Sequence, residues 1–462
     1  MLAPHRPRHG QTAAGVGASW RWSGAAYDGR VTSPENSTAP DHPERAAVPA
    51  NPAHAPGMPV VTVIGDGQLA RMMQTAAIEL GQSVRLLAGA KDSSAAQVSA
   101  DVEIGDYRNL EDLRRSARVR AGGTIRPVNA MTFDHEHVPT EHLRALQADG
   151  VSVQPGPDAL VNAQDKLVMR NRLRGIGAPV PPFAPIGSVD EALAFADSVD
   201  DQVCLKARRG GYDGHGVWFP ARAELPGLVE KLLADDVPLM AEKKVALSRE
   251  LSAMCARTPS GQVAAWPVVE SVQRDGICVE AVAPAPGLSA ELERAARELS
   301  IRVAEELGVT GVLAVELFET RDADGNPEIF VNELAMRPHN TGHWTQDGSA
   351  TDQFEQHMRA ILDYPLGDVT PVAAVTVMAN TLGAAEDPEL PVAERFSAVW
   401  RRFPHAKIHW YGKDHRAGRK LGHVNVTGHD ASPEGIAATR READLAARFI
   451  VDAVWADGYV AK

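Results

Sequence analysis

The sequence contains little cysteine, no excess of basic residues and no long apolar run, and each of these absences excludes a class of protein. Three cysteines in 462 residues, none of them in a C-x-x-C pair, cannot form a disulfide framework or a cysteine zinc site, and they favour a reducing compartment. The formal net charge of -13 is unsuited to sequence-independent nucleic-acid binding, which needs a basic face. No segment approaches the roughly 18 uncharged apolar residues of a membrane helix. We therefore expect a cytoplasmic protein that binds neither nucleic acid nor membrane.

The chain does contain enough apolar sequence for several folded domains. Hydrophobic residues make up 44% of the chain and charged residues 23%, which is ordinary for a soluble globular protein. At roughly 100–200 residues per domain, the length predicts about two to four domains. The composition therefore favours a multidomain enzyme.

The first 57 residues differ in character from the rest. They contain eight prolines and six glycines and little apolar clustering, so they cannot bury enough surface to offset the entropy of an ordered chain. A buried-strand pattern, Val60–Ile64, begins directly after Met58. We interpret Met58 as the true start of the protein, and residues 1–57 as a mis-annotated or disordered extension. A transit peptide is the alternative, because residues 1–34 carry four arginines and a single acidic residue, Asp28.

A strand, a glycine turn, a helix and a second strand are predicted between residues 60 and 87. The turn, GDGQLA at residues 65–70, matches the dinucleotide-binding pattern G-x-G-x-x-G except at its last position, where Ala70 replaces glycine. It is either a tight turn without a ligand or a helix N-terminus that offers backbone N–H groups to a phosphate. Gly81 is the expected end of the helix.

A second glycine-rich segment separates two predicted strands, 203–206 and 217–219. Its sequence is ARRGGYDGHG at residues 207–216, and its four glycines between 210 and 216 exceed what a hairpin turn needs. Their N–H groups can close over a polyphosphate, with Lys206 and the two arginines supplying positive charge. The alternative is a hairpin in which the glycines have no role in binding.

Carboxylates occur inside two apolar strands that a short turn connects. Residues 312–318 and 328–334 are predicted strands around a turn at 322–326, so an antiparallel hairpin would place Glu316 opposite Asn332 and Glu333. Two carboxylates and an amide oxygen form a hard-oxygen site suited to Mg²⁺ that carries nucleotide phosphates. Solvated charge at a sheet edge is the alternative, although a buried glutamate without a cation is costly.

Two polar segments allow more than one interpretation. His135-Glu136-His137 follows a predicted strand end and favours turn and helix-cap chemistry over a metal site, because the H-E-x-x-H spacing of zinc proteases is absent. Near the C-terminus, the segment YGKDHRAGRKLGH at residues 411–423 is a basic cluster in an acidic protein. It is either a solvated hairpin or a phosphate anchor for a second substrate.

Together these segments resemble the ATP-grasp superfamily, and within it the N5-carboxyaminoimidazole ribonucleotide synthases, the ATP-dependent carboxylases of purine biosynthesis. The resemblance runs from about residue 60 to residue 429 and rests on the strings GDGQLARMM, RRGGYDGHG, NELAMRPHNTGHWT, DQFEQHMRAILDYPLG and WYGKDHRAGRKLGHVNV. The RPHNTGHWT and YGKDHRAGRKLGH strings are specific to this family within the superfamily.

The resemblance implies an ATP-grasp fold of α/β class with α+β lobes. It predicts an N-terminal open parallel α/β domain at 58–157, a linker helix at 158–179, a small lid at 180–245, a central catalytic subdomain with an antiparallel sheet at 246–385, and a C-terminal domain with the basic cluster at 386–462. It also implies a homodimer.

The reaction implied by the resemblance uses ATP to phosphorylate bicarbonate, which gives carboxyphosphate. The exocyclic amine of 5-aminoimidazole ribonucleotide is then carboxylated, with ADP and phosphate as the other products. The expected cofactors are ATP and Mg²⁺, with Mn²⁺ as a substitute, and the expected partners are the small-molecule substrates.

The same resemblance assigns roles to individual residues. Glu316 and Glu333 would bind the metal. The residues expected to bind ATP are Lys166, Lys206, Gly211, Tyr212, Asp213, Gly214, His215, Gly216, Val217, Glu242, Lys243, Lys244, Val245, Glu250, Gln273, Asn332 and Glu333. The residues expected to bind the ribonucleotide or carboxyphosphate are Gln68, Leu69, Asn340, Lys413, Arg419 and Lys420. The residues expected to act in catalysis are Asp213, Arg337 and Lys413, with Asp213 in contact with the aminoimidazole amine.

The chain departs from the family pattern at several positions. Asp66 and Ala70 replace glycines, Met336 replaces a proline, and Thr341 replaces a serine. An acid at position 66 is unfavourable near a phosphate unless it points away. Gln273 replaces a histidine of the ATP site, and it can donate a hydrogen bond but cannot titrate.

Other functions remain as alternatives. The formate-using purine transformylase and biotin carboxylase are related ligases, but the YGKDHRAGRKLGH string argues against the second. A non-catalytic nucleotide-binding scaffold is disfavoured because Lys206, Glu316, Asn332 and Glu333 are intact. A Rossmann-type dehydrogenase is disfavoured because no acidic residue follows the second strand at the spacing that holds a ribose.

Overall fold

The computed structural model describes residues 54–121, 124–210 and 215–460. The chain divides into two units, Met1–Pro49 and Ala50–Lys462, and every described residue belongs to the second. Of the extension predicted at residues 1–57, residues 1–53 lie outside the described residues. Four residues predicted to cover the ATP phosphates also lie outside them, namely Gly211, Tyr212, Asp213 and Gly214.

The N-terminal part of the described chain is an open parallel sheet with helices, as the sequence predicts. Its elements are β1 (Val60–Ile64), α1 (Gln68–Glu79), β2 (Ser83–Ala88), β3 (Asp101–Ile104), α2 (Leu110–Ser116), β4 (Arg118–Ala121), β5 (Thr124–Pro127), β6 (Ala130–Phe133) and α3 (Thr140–Ala148). Strands β3, β2, β1 and β6 are parallel neighbours in that order, while β4 and β5 form a separate antiparallel pair. Every residue of β1 is buried, as expected for a parallel strand that is covered on both faces.

Two helices connect this sheet to the lid, where the sequence pattern predicted one. They are α4 (Pro157–Gln164) and α5 (Lys166–Gly175), and Asp165 separates them. The backbone of Asp165 is extended, and its side chain accepts hydrogen bonds from the N–H groups of Leu167 and Val168. Aspartate at an N-cap position begins a new helix. The segment that the resemblance gives as one linker helix at 158–179 is therefore two helices.

The small lid is a four-stranded antiparallel sheet that packs against two helices. Its elements are β7 (Phe183–Ile186), α6 (Val189–Ser198), β8 (Val203–Ala207), β9 (Val217–Trp218), α7 (Leu225–Ala234) and β10 (Leu239–Lys243). The strand order is β7-β10-β8-β9. The register pairs Lys206 with Met240 and Cys204 with Glu242. Because side chains alternate along a strand, Lys206 and Glu242 lie on the same face of the lid sheet.

A nine-stranded antiparallel sheet follows the lid and continues into the C-terminal segment. Its strands are β11 (Arg249–Arg257), β12 (Val263–Ala265), β13 (Val269–Arg274), β14 (Ile277–Ala283), β15 (Gly311–Arg321), β16 (Pro327–Ala335), β17 (Val375–Leu382), β18 (Lys407–Trp410) and β19 (Lys420–Gly428). The strand order is β16-β15-β11-β13-β14-β17-β19-β18, with β12 paired to β11. Because β19 pairs with both β17 and β18, the sheet runs through the predicted boundary between residues 385 and 386.

The helices of this region pack around the central sheet. They are α8 (Ala290–Glu306), α9 (Thr345–Gly348), α10 (Gln353–Ile361), α11 (Val392–Arg402) and α12 (Pro433–Asp452), and a short 3-10 helix spans Asn340–Gly342. Among the helices of the described residues, none is long and apolar enough to cross a membrane.

One hydrophobic core joins the N-terminal sheet to the central sheet. It includes Ile64 and Phe133 at the ends of two parallel strands, Leu173 on α5, and Leu313 and Val331 on β15 and β16. Burial of such side chains stabilises the fold by about 1.5–3 kcal/mol each. This shared core holds the carboxyl ends of β1 and β6 close to the β15–β16 hairpin.

Candidate active site

Two clefts meet at the β15–β16 hairpin. The large cleft has a volume of about 1080 Å³ and is lined by residues from the end of the N-terminal sheet, the hairpin and the C-terminal basic cluster. The lid cleft has a volume of about 510 Å³ and lies between the lid and the central sheet. The residues that line both clefts are Lys166, Glu316, Glu333, His339, Asn340 and Lys420. A group bound in one cleft can therefore reach a group bound in the other at this junction.

The predicted register of the hairpin is confirmed, because Glu316 on β15 pairs with Glu333 on β16. The register then shifts at Asn332, since Leu317 pairs with Val331. Such a β-bulge re-aims side chains locally. Here it brings Asn332 Nδ2 within 3.4 Å of Glu316 Oε2. Two carboxylates and an amide are thus gathered where the clefts meet.

Each of the two glutamates contacts one basic side chain. Lys166 Nζ lies 2.6 Å from Glu333 Oε1, and His339 Nε2 lies 3.1 Å from Glu316 Oε1. Burial opposes the ionisation of Glu316, but the hydrogen bond and charge of His339 hold its pKa below the usual value. His339 therefore favours the charged form of Glu316.

The donor set at the junction fits a hard divalent cation. Glu316 and Glu333 supply carboxylate oxygens, while the amide of Asn332 turns its Nδ2 atom to Glu316 and its Oδ1 atom to Lys206 Nζ, 3.5 Å away. Mg²⁺ keeps several waters and is usually held by one or two carboxylates together with substrate phosphates. Within the described ranges, no cluster of three or more histidine, cysteine or acidic side chains could hold a metal. These residues therefore fit an ion that arrives with phosphates, and they do not fit an all-protein metal cage.

The lid cleft gathers most of the residues predicted to bind ATP. Those that line it are Lys166, Lys206, His215, Val217, Glu242, Lys243, Lys244, Val245, Glu250, Gln273, Asn332 and Glu333. Gly216 is at the base of the β8–β9 hairpin, where its carbonyl accepts a hydrogen bond from the Ala207 N–H. The exposed side chains of Phe219 and Leu247 also line the cleft, and they offer apolar surface to a planar ring.

The side chain of Glu242 forms a buried ion triad that the sequence did not predict. Its carboxylate lies 2.5 Å from Arg170 Nε and 2.7 Å from Lys206 Nζ. Burial opposes the ionisation of Glu242, but the charges of Arg170 and Lys206 lower its pKa to about 2. Arg170 Nη2 also donates a hydrogen bond of 2.7 Å to the carbonyl of Asn332 in the bulge. One buried arginine thus ties the lid strand β10 to the carboxylate hairpin.

At the end of β10, several backbone groups of the residues expected to bind ATP already form hydrogen bonds within the protein. Glu242 pairs with neighbouring strands on both sides. The N–H groups of Lys243 and Lys244 donate to the carbonyls of Pro182 and Gln202. The N–H groups of Lys243 and Lys244 therefore already have partners, and the expected contacts of residues 242–245 with ATP stay predictions.

Glu250, on β11, faces the lid cleft beside Glu316. Burial, together with the nearby charge of Glu316, raises the pKa of Glu250 to about 7. A carboxyl group that is partly protonated near neutral pH is repelled less by Glu316 and still accepts hydrogen bonds from hydroxyl groups. On the adjacent strand, Gln273 Nε2 donates to Ser271 Oγ at 2.9 Å. The predicted contacts of Glu250 and Gln273 with a nucleotide stay predictions.

The large cleft gathers the residues predicted to bind the second substrate. Those that line it are Gln68, Leu69, Arg337, Asn340, Lys413, Arg419 and Lys420. They come from the start of α1, the segment after β16, and the region between β18 and β19. Lys413 Nζ hydrogen-bonds to the side-chain oxygen of Gln68. Burial and the neighbouring charge of Arg419 lower the pKa of Lys413 to about 8.

Arg337 and Asn340 lie in the loop after β16. Arg337 Nε donates to Glu136 Oε2 at 2.8 Å. Both amide atoms of Asn340 are buried without a nitrogen or oxygen partner among the described residues. A buried amide that lacks nitrogen and oxygen partners is costly, so Asn340 is suited to bind a polar ligand group at the junction of the clefts.

The glycine turn after β1 is shaped by Asp134, which follows β6. Asp134 Oδ2 accepts a hydrogen bond from the Gly67 N–H at 2.6 Å, and a Cβ atom at Gly65 would lie 1.7 Å from Asp134 Oδ1. Glycine is required here to make room for a buried carboxylate. Asp66 instead accepts a hydrogen bond from the Gly89 N–H at 2.9 Å. The N–H of Gly67 is therefore already bonded within the protein.

The segment His135-Glu136-His137 makes turn contacts, which is the interpretation that the sequence favours. The His137 N–H donates to His135 Nδ1 at 3.2 Å. The His135 ring packs on Tyr107, with 4.5 Å between ring centroids. Glu136, between the two histidines, is the partner of Arg337.

Sequence reasoning missed four polar residues that hold the site together: Glu136, Asp165, Arg170 and His339. Arg170 carried a usable signal, because it follows Lys166 by four positions and so lies on the same face of α5. Glu136 is 201 residues before Arg337, and nothing in the local pattern connects them. His339 was inside a quoted string but had no assigned partner.

Three family models match successive parts of the chain. The ribonucleotide synthetase preATP-grasp domain matches residues 58–164, the ATP-grasp domain matches residues 171–354, and the phosphoribosylaminoimidazole carboxylase C-terminal domain matches residues 376–433. The N5-carboxyaminoimidazole ribonucleotide synthase of Corynebacterium ammoniagenes is 59% identical over 425 residues, which are 91% of this chain and 99% of that protein. The protein of the same name from Mycobacterium bovis is 52% identical over 402 residues, which are 87% of this chain and 90% of that protein.

Solved structures show the same likeness. The ADP complex of an N5-carboxyaminoimidazole ribonucleotide synthetase superposes with a TM-score of 0.74 at 31% identity and covers 86% of this chain and 97% of its own. An N5-carboxyaminoimidazole synthase from Aspergillus clavatus, in complex with ADP and 5-aminoimidazole ribonucleotide, superposes with a TM-score of 0.73 at 30% identity, covering 86% of this chain and 98% of its own.

The parallel sheet, the lid and the antiparallel sheet around paired clefts define an ATP-grasp enzyme, and the predicted fold class is confirmed. Relatives that are 59% and 52% identical match nearly their full length. The chain belongs to the N5-carboxyaminoimidazole ribonucleotide synthase family. The domain boundaries and the roles of individual residues stay predictions.

Proposed function

We propose that this protein carboxylates the exocyclic amine of 5-aminoimidazole ribonucleotide with bicarbonate and ATP, as a step of de novo purine biosynthesis. The products are N5-carboxyaminoimidazole ribonucleotide, ADP and phosphate. The observation that carries the proposal is the junction of the lid cleft and the large cleft at Glu316 and Glu333. Phosphoryl transfer depends on close positioning and charge neutralisation, and this junction supplies both. The complex of the Aspergillus clavatus relative with ADP and 5-aminoimidazole ribonucleotide supports the pairing of substrates.

On the nucleotide side, the protein holds the ATP phosphates mainly through charge. Lys206 approaches the junction from the lid, and Lys166 approaches it from α5. Glu316, Asn332 and Glu333 would hold Mg²⁺, or Mn²⁺ in its place. When bound, the ion supplies positive charge to the β- and γ-phosphate oxygens. The backbone N–H groups of the glycine segment at 211–214, which lies outside the described residues, would complete the cover predicted from the sequence.

The reaction proceeds through two displacements. A bicarbonate oxygen attacks the γ-phosphorus of ATP, and ADP leaves with the electrons of the broken P–O bond. The amine nitrogen of the ribonucleotide then attacks the carboxyl carbon of carboxyphosphate, phosphate leaves, and the nitrogen loses one proton. Arg337 and Asn340, which both line the large cleft, would hold the oxygens of bicarbonate and carboxyphosphate. Asp213, proposed to contact the amine, lies outside the described residues.

The far part of the large cleft is the proposed site of the ribonucleotide. Lys413 and Arg419 supply positive charge there, Lys420 supplies it from the junction of the two clefts, and the start of α1 supplies Gln68 and Leu69. A phosphate monoester is dianionic or nearly so at neutral pH and forms strong hydrogen bonds with such groups.

The experiment that tests this function measures ADP release with each substrate omitted in turn. Turnover should require ATP, bicarbonate and 5-aminoimidazole ribonucleotide together, and the carboxylated ribonucleotide should form in a one-to-one ratio with ADP. ADP release that is indifferent to the ribonucleotide would exclude the proposal. Activity with formate in place of bicarbonate would instead favour the transformylase alternative.

Replacement of Lys413 should weaken ribonucleotide binding more than ATP binding. Lys413 lines the large cleft and not the lid cleft, so Lys413→Ala removes a cation from the ribonucleotide side alone. We expect the KM for 5-aminoimidazole ribonucleotide to rise by roughly 10- to 100-fold, the value of a hydrogen bond to a charged group, with the KM for ATP little changed. Steady-state kinetics with each substrate varied checks the prediction, and the reverse pattern would move Lys413 to the nucleotide side.

The affinity for the ribonucleotide should also fall at alkaline pH. The pKa of Lys413 is lowered to about 8, so its positive charge is present below that pH and is lost as the pH rises through it. We expect the KM for the ribonucleotide to increase above pH 8, while the KM for ATP stays level. The matched control is Lys413→Arg, which keeps its charge throughout this range. If the wild type and Lys413→Arg give the same rise, another group titrates.

The oligomeric state and location are also part of the proposal. The family resemblance supports a homodimer, and the low cysteine content and the negative net charge support a cytoplasmic protein that binds no nucleic acid. Size-exclusion chromatography with light scattering tests the dimer, and a mass of about 49.4 kDa for the particle would contradict it.

A further inference from the structure

A single carboxylate, that of Asp165, collects two backbone N–H groups and two arginines. The side chain is 3% exposed. Its Oδ1 atom accepts the N–H groups of Leu167 and Val168 at 3.0 and 3.2 Å, which caps α5. Arg208 binds both oxygens, with Nε 3.2 Å from Oδ1 and Nη2 2.8 Å from Oδ2. Arg209 Nε lies 3.1 Å from Oδ2.

These two arginines form part of the wall of the large cleft. Arg208 and Arg209 both line it, and their side chains are 31% and 53% exposed. The carbonyl of Arg208 also accepts a hydrogen bond from the Lys166 N–H at 2.9 Å. The strand end that carries the arginines is therefore joined to the start of α5, where Lys166 reaches the junction of the two clefts.

The capping of α5 does not explain this arrangement. An N-cap needs one oxygen acceptor, and asparagine or serine serves as well as aspartate. The second oxygen and the negative charge of Asp165 are used on the guanidinium groups. A carboxylate with a bidentate guanidinium holds that group in a fixed plane. One carboxylate between two arginines leaves a net charge of about +1 at the wall of the cleft, which favours an anion there.

We propose that Asp165 is a positioning residue that orients Arg208 and Arg209 as an anion-binding pair in the large cleft. The ligand is an oxyanion of the phosphate or carbonate class. This inference rests on the proposed function, in which the ribonucleotide phosphate and bicarbonate are both substrates of the large cleft. Asp165 acts through the arginines and does not touch the substrate.

The test separates the cap from the charge with two variants at one position. Asp165→Asn keeps an N-cap acceptor and nearly the same shape but removes the charge, whereas Asp165→Ala removes both. We expect Asp165→Asn to unfold at nearly the wild-type temperature and Asp165→Ala to unfold at a lower one. In Asp165→Asn, the KM for one anionic substrate should rise about tenfold, as for the loss of an oriented charge-assisted hydrogen bond, with the KM for ATP unchanged. A rise for the ribonucleotide assigns the pair to its phosphate, and a rise for bicarbonate assigns it to the carboxyl donor.

A second variant tests the route through the arginines. Arg209→Gln changes a half-exposed side chain, so its fold is secure, and it should raise the same KM as Asp165→Asn. The double variant should show less than the sum of the two effects, because both changes remove one interaction. Additive effects would overturn the inference. So would a fall of kcat in Asp165→Asn with every KM unchanged, or a rise in the KM for ATP alone.

The inference and the proposed function fail in different ways. If wild-type ADP release does not depend on the ribonucleotide and bicarbonate, the proposed function fails before any variant is compared. If the wild type depends on both and neither KM responds to Asp165→Asn or Arg209→Gln, only the role of Asp165 fails.

Calorimetric titration with 5-aminoimidazole ribonucleotide in the absence of ATP adds a readout without turnover. A ribonucleotide phosphate site predicts weaker binding in both variants, and a bicarbonate site predicts unchanged binding in both, whereas a change in only one variant overturns the pairing.

Discussion

The Glu333→Gln variant should keep its fold and lose most of its turnover, with kcat falling roughly 10²–10³-fold, the cost of removing one transition-state charge contact. Glu333 lines both clefts and is paired with Lys166 at 2.6 Å. The amide removes one negative charge from the proposed magnesium ligands and leaves Lys166 without its partner. The fold should survive because the Glu333 side chain is 38% exposed and stands apart from the buried triad of Glu242.

The control for this variant is on the same strand. Glu328→Gln removes an identical charge from β16, but Glu328 lines neither cleft. Its kcat and its Mg²⁺ dependence should match those of the wild type. Glu333→Gln should require a higher Mg²⁺ concentration for half-maximal ADP release, since a carboxylate ligand has been lost. Unchanged turnover in Glu333→Gln would remove the metal assignment.

The strands that carry the site were predictable because their patterns are strong. An apolar run such as Val60–Ile64 ends in a glycine turn, and the apolar residues around Glu316 and Glu333 are interrupted by an obvious turn at 322–326. The second of these patterns predicts an antiparallel hairpin. The observed register places the two glutamates opposite each other. The prediction succeeded here because both strands and their turn are local in sequence.

The failures came from features that have no local pattern. The bulge at Asn332 is a one-residue shift in pairing, and alternation along β16 does not reveal it. The break at Asp165 was missed because apolar spacing continues across it, although an aspartate before Lys166 is an N-cap signal. The partnership of Glu136 with Arg337 depends on the packing of the N-terminal sheet against the central sheet, which is a tertiary property.

The sequence also did not reveal that the central sheet continues into the C-terminal segment. Strands β17 and β19 are buried along most of their length, and their sequence does not show which strands they pair with. The pairing of β14 with β17 places the basic cluster after β18 on the same sheet as the carboxylate hairpin. This topology explains how Lys413, so far from Gln68 in sequence, comes to bond to it.

Removal of the Glu242 carboxylate should have the largest effect on stability. Glu242→Ala leaves Arg170 and Lys206 buried without their counter-charge, and loss of one partner of a buried ion pair costs about 3–5 kcal/mol. Urea unfolding should show this loss. The comparison is Asp158→Ala, which breaks an ion pair whose side chains are 87% and 62% exposed and should cost less than about 1 kcal/mol. A similar, small loss in both variants would mean that the triad does not stabilise the lid.

The contribution of the Glu242 carboxylate to the unfolding free energy should be lost between pH 4.5 and about pH 2. Its pKa in the folded protein is about 2, below the ordinary value of 4.5. Its contribution is therefore fully present above pH 4.5 and is lost as the pH falls through that value toward 2. The difference in unfolding free energy between the wild type and Glu242→Gln should be constant from neutral pH to about pH 5 and should shrink below it. Because Arg170 also holds the Asn332 carbonyl, the same acid range should loosen the hairpin that carries Glu316 and Glu333. A difference that stays constant down to about pH 3 would show that the charge of Glu242 is not what holds the lid to the hairpin.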